Sequence, residues 1–193
     1  MPDVIEHKGF RCYRWETQAI YPSVSAVKEL LYGPISGWID TAKLDEGTRC
    51  HQEMERAIET WILTGSPDGV ELSERPQKLI KWLQDTGWEP LATELPRVST
   101  KYGYAGTLDA VFRKGGTLMI PDYKFAESVG EQYHAQLMMY LNADYQDIAH
   151  KDRKAFILQV AKGQDVKPLA VKPNPVLWAE ILAALTVLRK RMR

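Results

Sequence analysis

Cysteine is nearly missing from this chain. Only Cys12 and Cys50 occur in 193 residues, which excludes a disulfide framework and leaves too few thiolates for a four-cysteine iron–sulfur cluster. Excess charge is missing as well, since 25 Lys and Arg balance 25 Asp and Glu. No global field therefore draws the chain onto polyanions, and any grip on phosphate has to be built from local groups. Apolar runs are short: none approaches the roughly 20 residues of a membrane span, and no basic segment followed by an apolar run opens the sequence. No membrane partner is expected, and a cytoplasmic location follows. Repeats and low-complexity segments are absent, so a chain of this length is expected to form a single domain over residues 1–193 around one core.

What is present concentrates in residues 104–140. Residues 104–113 and 117–125 are rich in β-branched and aromatic side chains, with Lys114-Gly115-Gly116 between them, and read as a hairpin. The glycine preference of primed turns makes Gly115-Gly116 the loop and pairs Lys114 with Thr117. Counting back along both strands sets Asp109 opposite Asp122. Alternation then puts Thr107, Asp109, Val111, Leu118, Ile120, Asp122 and Lys124 on one face, with Leu108, Ala110, Phe112 and Met119 on the other. Apolar residues on both faces mark a central strand pair covered on both sides, against the alternative of a solvent-exposed charged face. Facing carboxylates repel, and buried ones need partners. A divalent cation is the first candidate and Lys124 the second. On this reading Asp122→Asn relieves repulsion and raises metal-free stability.

Two helical pairs accompany the hairpin. Met54, Ile58, Trp61 and Ile62 recur at helical spacing, so a helix is expected over 40–65 with His51 and Glu55 as an i,i+4 pair. By itself such a pair is an ordinary surface or core contact. Gln136 and Tyr140 are also i,i+4, on a helix expected over 130–141 that packs on the face carrying Asp109 and Asp122. Other helices are expected over 22–31 and 75–86, and from Pro173-Asn174-Pro175 to the end, with a strand over 90–98 and a second hairpin over 155–161 and 166–171. The domain would then comprise a mainly helical part (1–88), a sheet with its helix (89–171) and a last helix (172–193).

Asp109, Pro121-Asp122-Tyr123-Lys124 and the run from Gln136 to Tyr140, with Gly47-Thr48-Arg49-Cys50-His51 upstream, resemble the motifs of the PD-(D/E)XK nuclease superfamily, in its RecB-like and phage-exonuclease branch. They correspond in order to the first acid, the motif itself, the QxxxY motif and a helical histidine motif, over residues 21–161. The resemblance implies an α/β (α+β) fold with a restriction-endonuclease-like core, a central mixed sheet flanked by helices in the order αβββαβ, and an N-terminal helical arch. It implies that Asp109, Asp122, the Tyr123 backbone carbonyl and His51 hold metal, with Glu55 and Glu94 as weaker candidates. Lys124 would orient or deprotonate the attacking water, while Gln136 and Tyr140 would contact nucleic acid and orient the lysine or a metal water.

Phosphodiester cleavage needs an activated water and charge stabilisation on a phosphate that is already negative. Mg²⁺ or Mn²⁺ suits carboxylate ligands, and an imidazole tilts the preference toward Mn²⁺. The expected function is therefore a metal-dependent DNA exonuclease of phage or bacterial recombination or repair, acting in a bacterial cell or infected host. A structure-specific or nicking endonuclease would use the same chemistry. A nucleic-acid-binding module without catalysis is the alternative of another class, and the intact Asp109, Asp122 and Lys124 count against it. DNA is the expected partner; a single-strand annealing or recombination protein and a homo-oligomer such as a trimeric ring stay open. Arg189, Lys190, Arg191 and Arg193, and Lys151, Arg153 and Lys154, are local basic groups for DNA or solvated faces. Trp15, Tyr21, Tyr32 and Trp38 are available either to stacked bases or to the core.

Overall fold

Alternating side chains on either side of Lys8-Gly9 fold the first segment into a hairpin, β1 (Asp3–His7) and β2 (Phe10–Arg14), to which β3 (Ile20–Pro22) adds antiparallel. Both loop residues are left-handed, with φ +49° at Lys8 and +79° at Gly9, the primed geometry that suits a two-residue loop. This small sheet precedes the helices expected over residues 1–88 and was not foreseen. Its turn was hard to read because a lysine rarely takes a left-handed position.

The computed structural model describes residues 2–15, 18–34 and 41–193, with the side chains of 41–44 left out. Trp38 lies outside the described residues. In α1 (Val24–Tyr32), Ser23 Oγ accepts the Ala26 N–H at 3.0 Å, and Gly33, at φ +82°, ends the helix. Helix α2 (Thr41–Thr64) buries Cys50, Met54, Ala57 and Ile58, one face of a 3.6-residue period. The buried Glu53 ties α2 to the start of α3 (Glu74–Asp85), because Ser73 donates both its N–H and its hydroxyl to Glu53 Oε2 at 2.7 Å.

The main sheet follows: β4 (Glu89–Ser99), β5 (Tyr104–Lys114), β6 (Thr117–Lys124), then α4 (Glu131–Leu141), β7 (Asp152–Gln159), β8 (Lys167–Ala170) and α5 (Pro175–Met192). Strands lie in sequence order, all antiparallel except the parallel pair β6–β7 that α4 connects. The result is a mixed α/β fold with the expected order αβββαβ running from α3 to β7. On one face α1, α4 and α5 bury Val111, Leu118, Ile120 and Leu137; on the other α2 and α3 bury Ala110, Phe112 and Met119. A fully buried Leu or Ile contributes roughly 1.5–3 kcal/mol, so this two-sided core, rather than charge pairing, holds the scaffold of the strands. Leu108 departs from the expected alternation by joining the cluster of Val111, in the part of β5 that is not paired with β6.

Several side chains thought available to nucleic acid have structural places. Trp15 and Tyr21 pack against the cluster of Tyr13, Val98 and Ala105, whereas Tyr32 is exposed. Arg153 donates to Ala143 O at 3.0 Å and lies over the Tyr145 ring. Arg189 lies against Gly103, and Arg189, Lys190 and Arg191 occupy the last turn of α5, where positive charge suits the helix dipole. Among the described residues no helix is long and apolar enough to cross a membrane.

Candidate active site

The site lies where the β5–β6 ladder stops. The register begins as expected with Lys114↔Thr117 and continues through Phe112↔Met119, then ends. Asp109 and Asp122 are therefore not a ladder pair, which corrects the expectation from counting: β6 leaves β5 and runs parallel to β7, with Asp122 beside Ile157 and Lys124 beside Gln159. In the gap, Asp109 Oδ2 accepts the Tyr123 N–H at 2.9 Å. The other neighbour of β5 is irregular at the same level. Thr93 pairs with Ala110 and Leu95 with Leu108, and Glu94 between them has φ +45°. A left-handed glutamate is strained, and such strain gathers at functional sites.

Asp122 is buried at 1% exposure. Its Oδ1 accepts the Gln136 amide at 2.7 Å. Its Oδ2 lies 2.7 Å from Lys124 Nζ but receives no directed hydrogen bond. Lys124 instead donates to the Tyr123 carbonyl at 3.0 Å. Burial pushes the Asp122 carboxyl up and Lys124 offsets this in part. Burial alone would lower Lys124, but the Asp122 and Asp109 carboxylates outweigh it and raise the ammonium. With an ammonium beside Oδ2 and an amide donor on Oδ1, the pair is read as charged. A second cation, Lys28 of α1, donates to Gln136 Oε1. The Tyr133 ring carries both ammonium groups, Lys124 at 4.5 Å and Lys28 at 5.5 Å from its centroid.

The helix of α2 brings His51 to the opposite rim. Its Nδ1 is 3.6 Å from Asp109 Oδ2, and its ring meets Phe125 edge-on at 5.6 Å. Glu94 is an exposed residue, yet partial burial of its carboxyl, then the charges of Asp109 and Glu55, push its pKa to about 7. Tyr140 is buried and its hydroxyl donates to Thr107 O at 2.7 Å. That bond makes Tyr140 a strut for β5. Gly106 is needed beside it: a Cβ there would meet the Tyr140 ring at 2.8 Å and Val24 at 2.9 Å.

The structure thus joins Asp109 to His51, and Asp122 to Lys124 and Gln136. Among the described residues no three His, Cys, Asp or Glu side chains converge as a ready metal cage. The oxygens nevertheless fit a cation. Asp122 Oδ2 is buried without a hydrogen bond, and the one ammonium of Lys124 reaches both it and the Tyr123 carbonyl. Oxygen donors of this kind suit a hard divalent ion. A cavity of about 780 Å³ adjoins them, lined in part by Thr48, His51, Lys124, Tyr133 and Lys162. Two further hollows beside Pro173 share none of these side chains.

Lys28 and Tyr133 are the members of the site that sequence reasoning missed. Tyr133 left a signal, since it precedes Gln136 by three residues on one helix face. Lys28 left none, because a lysine beside Val27 and Glu29 in a short helix reads as solvent-facing.

Neither a known protein family nor a curated protein matches the chain by sequence. Among solved structures, LHK-Exo in complex with dAMP shares 13% identity over 89% of this chain and 87% of its own, with a TM-score of 0.47. The alkaline exonuclease LHK-Exo from Laribacter hongkongensis shares 12% identity over 89% and 87%, with a TM-score of 0.42. At these values the likeness transfers no residue roles, and the geometry of the gap between β5 and β6 stands on its own.

Proposed function

We propose that this chain is a metal-dependent DNA exonuclease. One observation carries the reading: Asp122 Oδ2, buried and without a hydrogen bond, shares a single cation with the Tyr123 carbonyl in a gap between strands that also holds Asp109. Mg²⁺ or Mn²⁺ held by Asp109, Asp122 and the Tyr123 carbonyl, with His51 at the rim, would supply charge neutralisation on the phosphate and an acidified water. Glu55 and Glu94, near Asp109, would be weaker ligands of the same ion.

The remaining chemistry belongs to the chain. Lys124, beside Asp122 Oδ2 and the Tyr123 carbonyl, would orient the attacking water and stabilise developing charge. Gln136 holds Asp122 by Oδ1, and Tyr140 holds β5 through Thr107. The adjoining cavity of about 780 Å³ falls within the range of roughly 300–1,000 Å³ usual for ligand pockets.

The test is cleavage of end-labelled linear and closed circular DNA, single- and double-stranded, in Mg²⁺ or Mn²⁺ and in excess chelator. Linear DNA should be degraded from an end and circles spared, with chelator abolishing the reaction. Cut circles would make the chain an endonuclease. Retention of DNA without cleavage in any ion would make it a binding module.

A further inference from the structure

A primary amide has two unlike ends, an acceptor oxygen and a donor nitrogen, and its neighbours decide which way it points. Gln136 sits between two groups that cannot exchange roles. On one side Lys28 Nζ, which can only donate, meets Oε1; on the other, Asp122 Oδ1 accepts from Nε2 at 2.7 Å. Turning the amide over would set NH₂ against an ammonium and C=O against a carboxylate, two repulsive contacts in a buried place. Helix α1 packs against both α4 and α5, so the backbone under Lys28 is anchored. The Tyr133 ring holds the Lys28 and Lys124 ammonium groups apart, the first toward Gln136 and the second toward Asp122 Oδ2.

We propose that Lys28 is a positioning residue of this site: by fixing the Gln136 amide it commits Asp122 Oδ1 to a hydrogen bond and reserves Oδ2 for a cation. The orientation is a property of the fold, while its consequence for catalysis rests on the nuclease reading above. Lys28 acts through Gln136 and touches no reacting atom.

The experiment compares wild type with Lys28→Met, Lys28→Arg, Gln136→Leu and the Lys28→Met/Gln136→Leu double variant. The first readout is the side-chain amide of Gln136 by NMR, assigned from its disappearance in Gln136→Leu. Its protons should exchange slowly in wild type and in Lys28→Arg, and as fast as a solvent-exposed amide in Lys28→Met. The second readout is the split between kcat and KM on linear DNA. Lys28→Met should lower kcat by roughly 10- to 100-fold, the scale of a misplaced group, with KM unchanged, and should add nothing once Gln136 is Leu. Unchanged amide exchange in Lys28→Met overturns the proposal, as does a rise in KM alone, which would make Lys28 a substrate contact. If wild type cleaves no DNA, the nuclease reading fails while the amide readout still decides the positioning role.

Discussion

At the turn end of the β5–β6 hairpin, backbone pairs from Lys114↔Thr117 to Phe112↔Met119 close the strands. At the open end the same strands part, and side chains take over: Asp109 accepts the Tyr123 N–H, Asp122 pairs with Lys124 and Gln136, and Tyr140 bonds the Thr107 carbonyl. The turn end tolerates changes of surface side chain because its bonds are backbone bonds. The open end is held by particular side chains, so each substitution there should remove both a support and a chemical group. Freed carboxylate oxygens, which a continuous ladder would have no need to hold, are what make the open end capable of chemistry.

The sharpest break in this contrast is Asp122→Asn. Because Asp122 faces Lys124 rather than Asp109, the expectation of relieved repulsion reverses. Removing one partner of a buried pair should lower metal-free stability by roughly 3–5 kcal/mol, measured by denaturant unfolding. Stability equal to or above wild type would return Asp109 to the role of facing charge. Next comes Lys124→Ala, which keeps both carboxylates. With ion present, DNA binding should persist while turnover falls by roughly 10²–10³, and cleavage at the wild-type rate would end the proposed mechanism.

Two glycines compare the ends directly. Gly106→Ala at the open end drives a Cβ into Tyr140 and Val24 at 2.8 and 2.9 Å, an overpacking that should cost roughly 1–3 kcal/mol and lower activity with it. Gly115→Ala at the turn meets no atom within 4 Å, but its φ of +57° disfavours a side chain by about 1–2 kcal/mol, with activity retained. Loss of activity in the turn variant, measured beside thermal melts of both, would show the two ends to be coupled.

The smallest effect concerns Glu94, whose pKa stands at about 7, first through burial and then through Asp109 and Glu55. A carboxyl raised in the folded state binds its proton more tightly there than when unfolded. Its contribution to stability is therefore complete below the ordinary value of 4.5 and is lost as pH rises through about 7. Melting temperature relative to Glu94→Gln should fall between about pH 5 and pH 8, modestly because the residue is exposed. A difference that stays level with pH would show the Glu94 carboxyl to be neither buried nor close to the charges of Asp109 and Glu55.

Much of this was legible locally. The Gly115-Gly116 turn, the register beside it and the i,i+4 pairs are short-range properties, set by φ preferences and the period of apolar residues. That is why Asp109, Asp122, Lys124 and Gln136 could be picked out together. The length over which two strands stay paired is not a local property. It depends on β7 claiming β6 and on α4 filling the space above them, which no spacing encodes. The same holds for Lys28, brought to Gln136 from α1 across more than a hundred residues by helix packing. The sequence by itself determined which groups with reactive chemistry this protein carries and on which strand or helix each stands. The tertiary structure decided their partners, because charges in a buried gap take the neighbours that packing brings them.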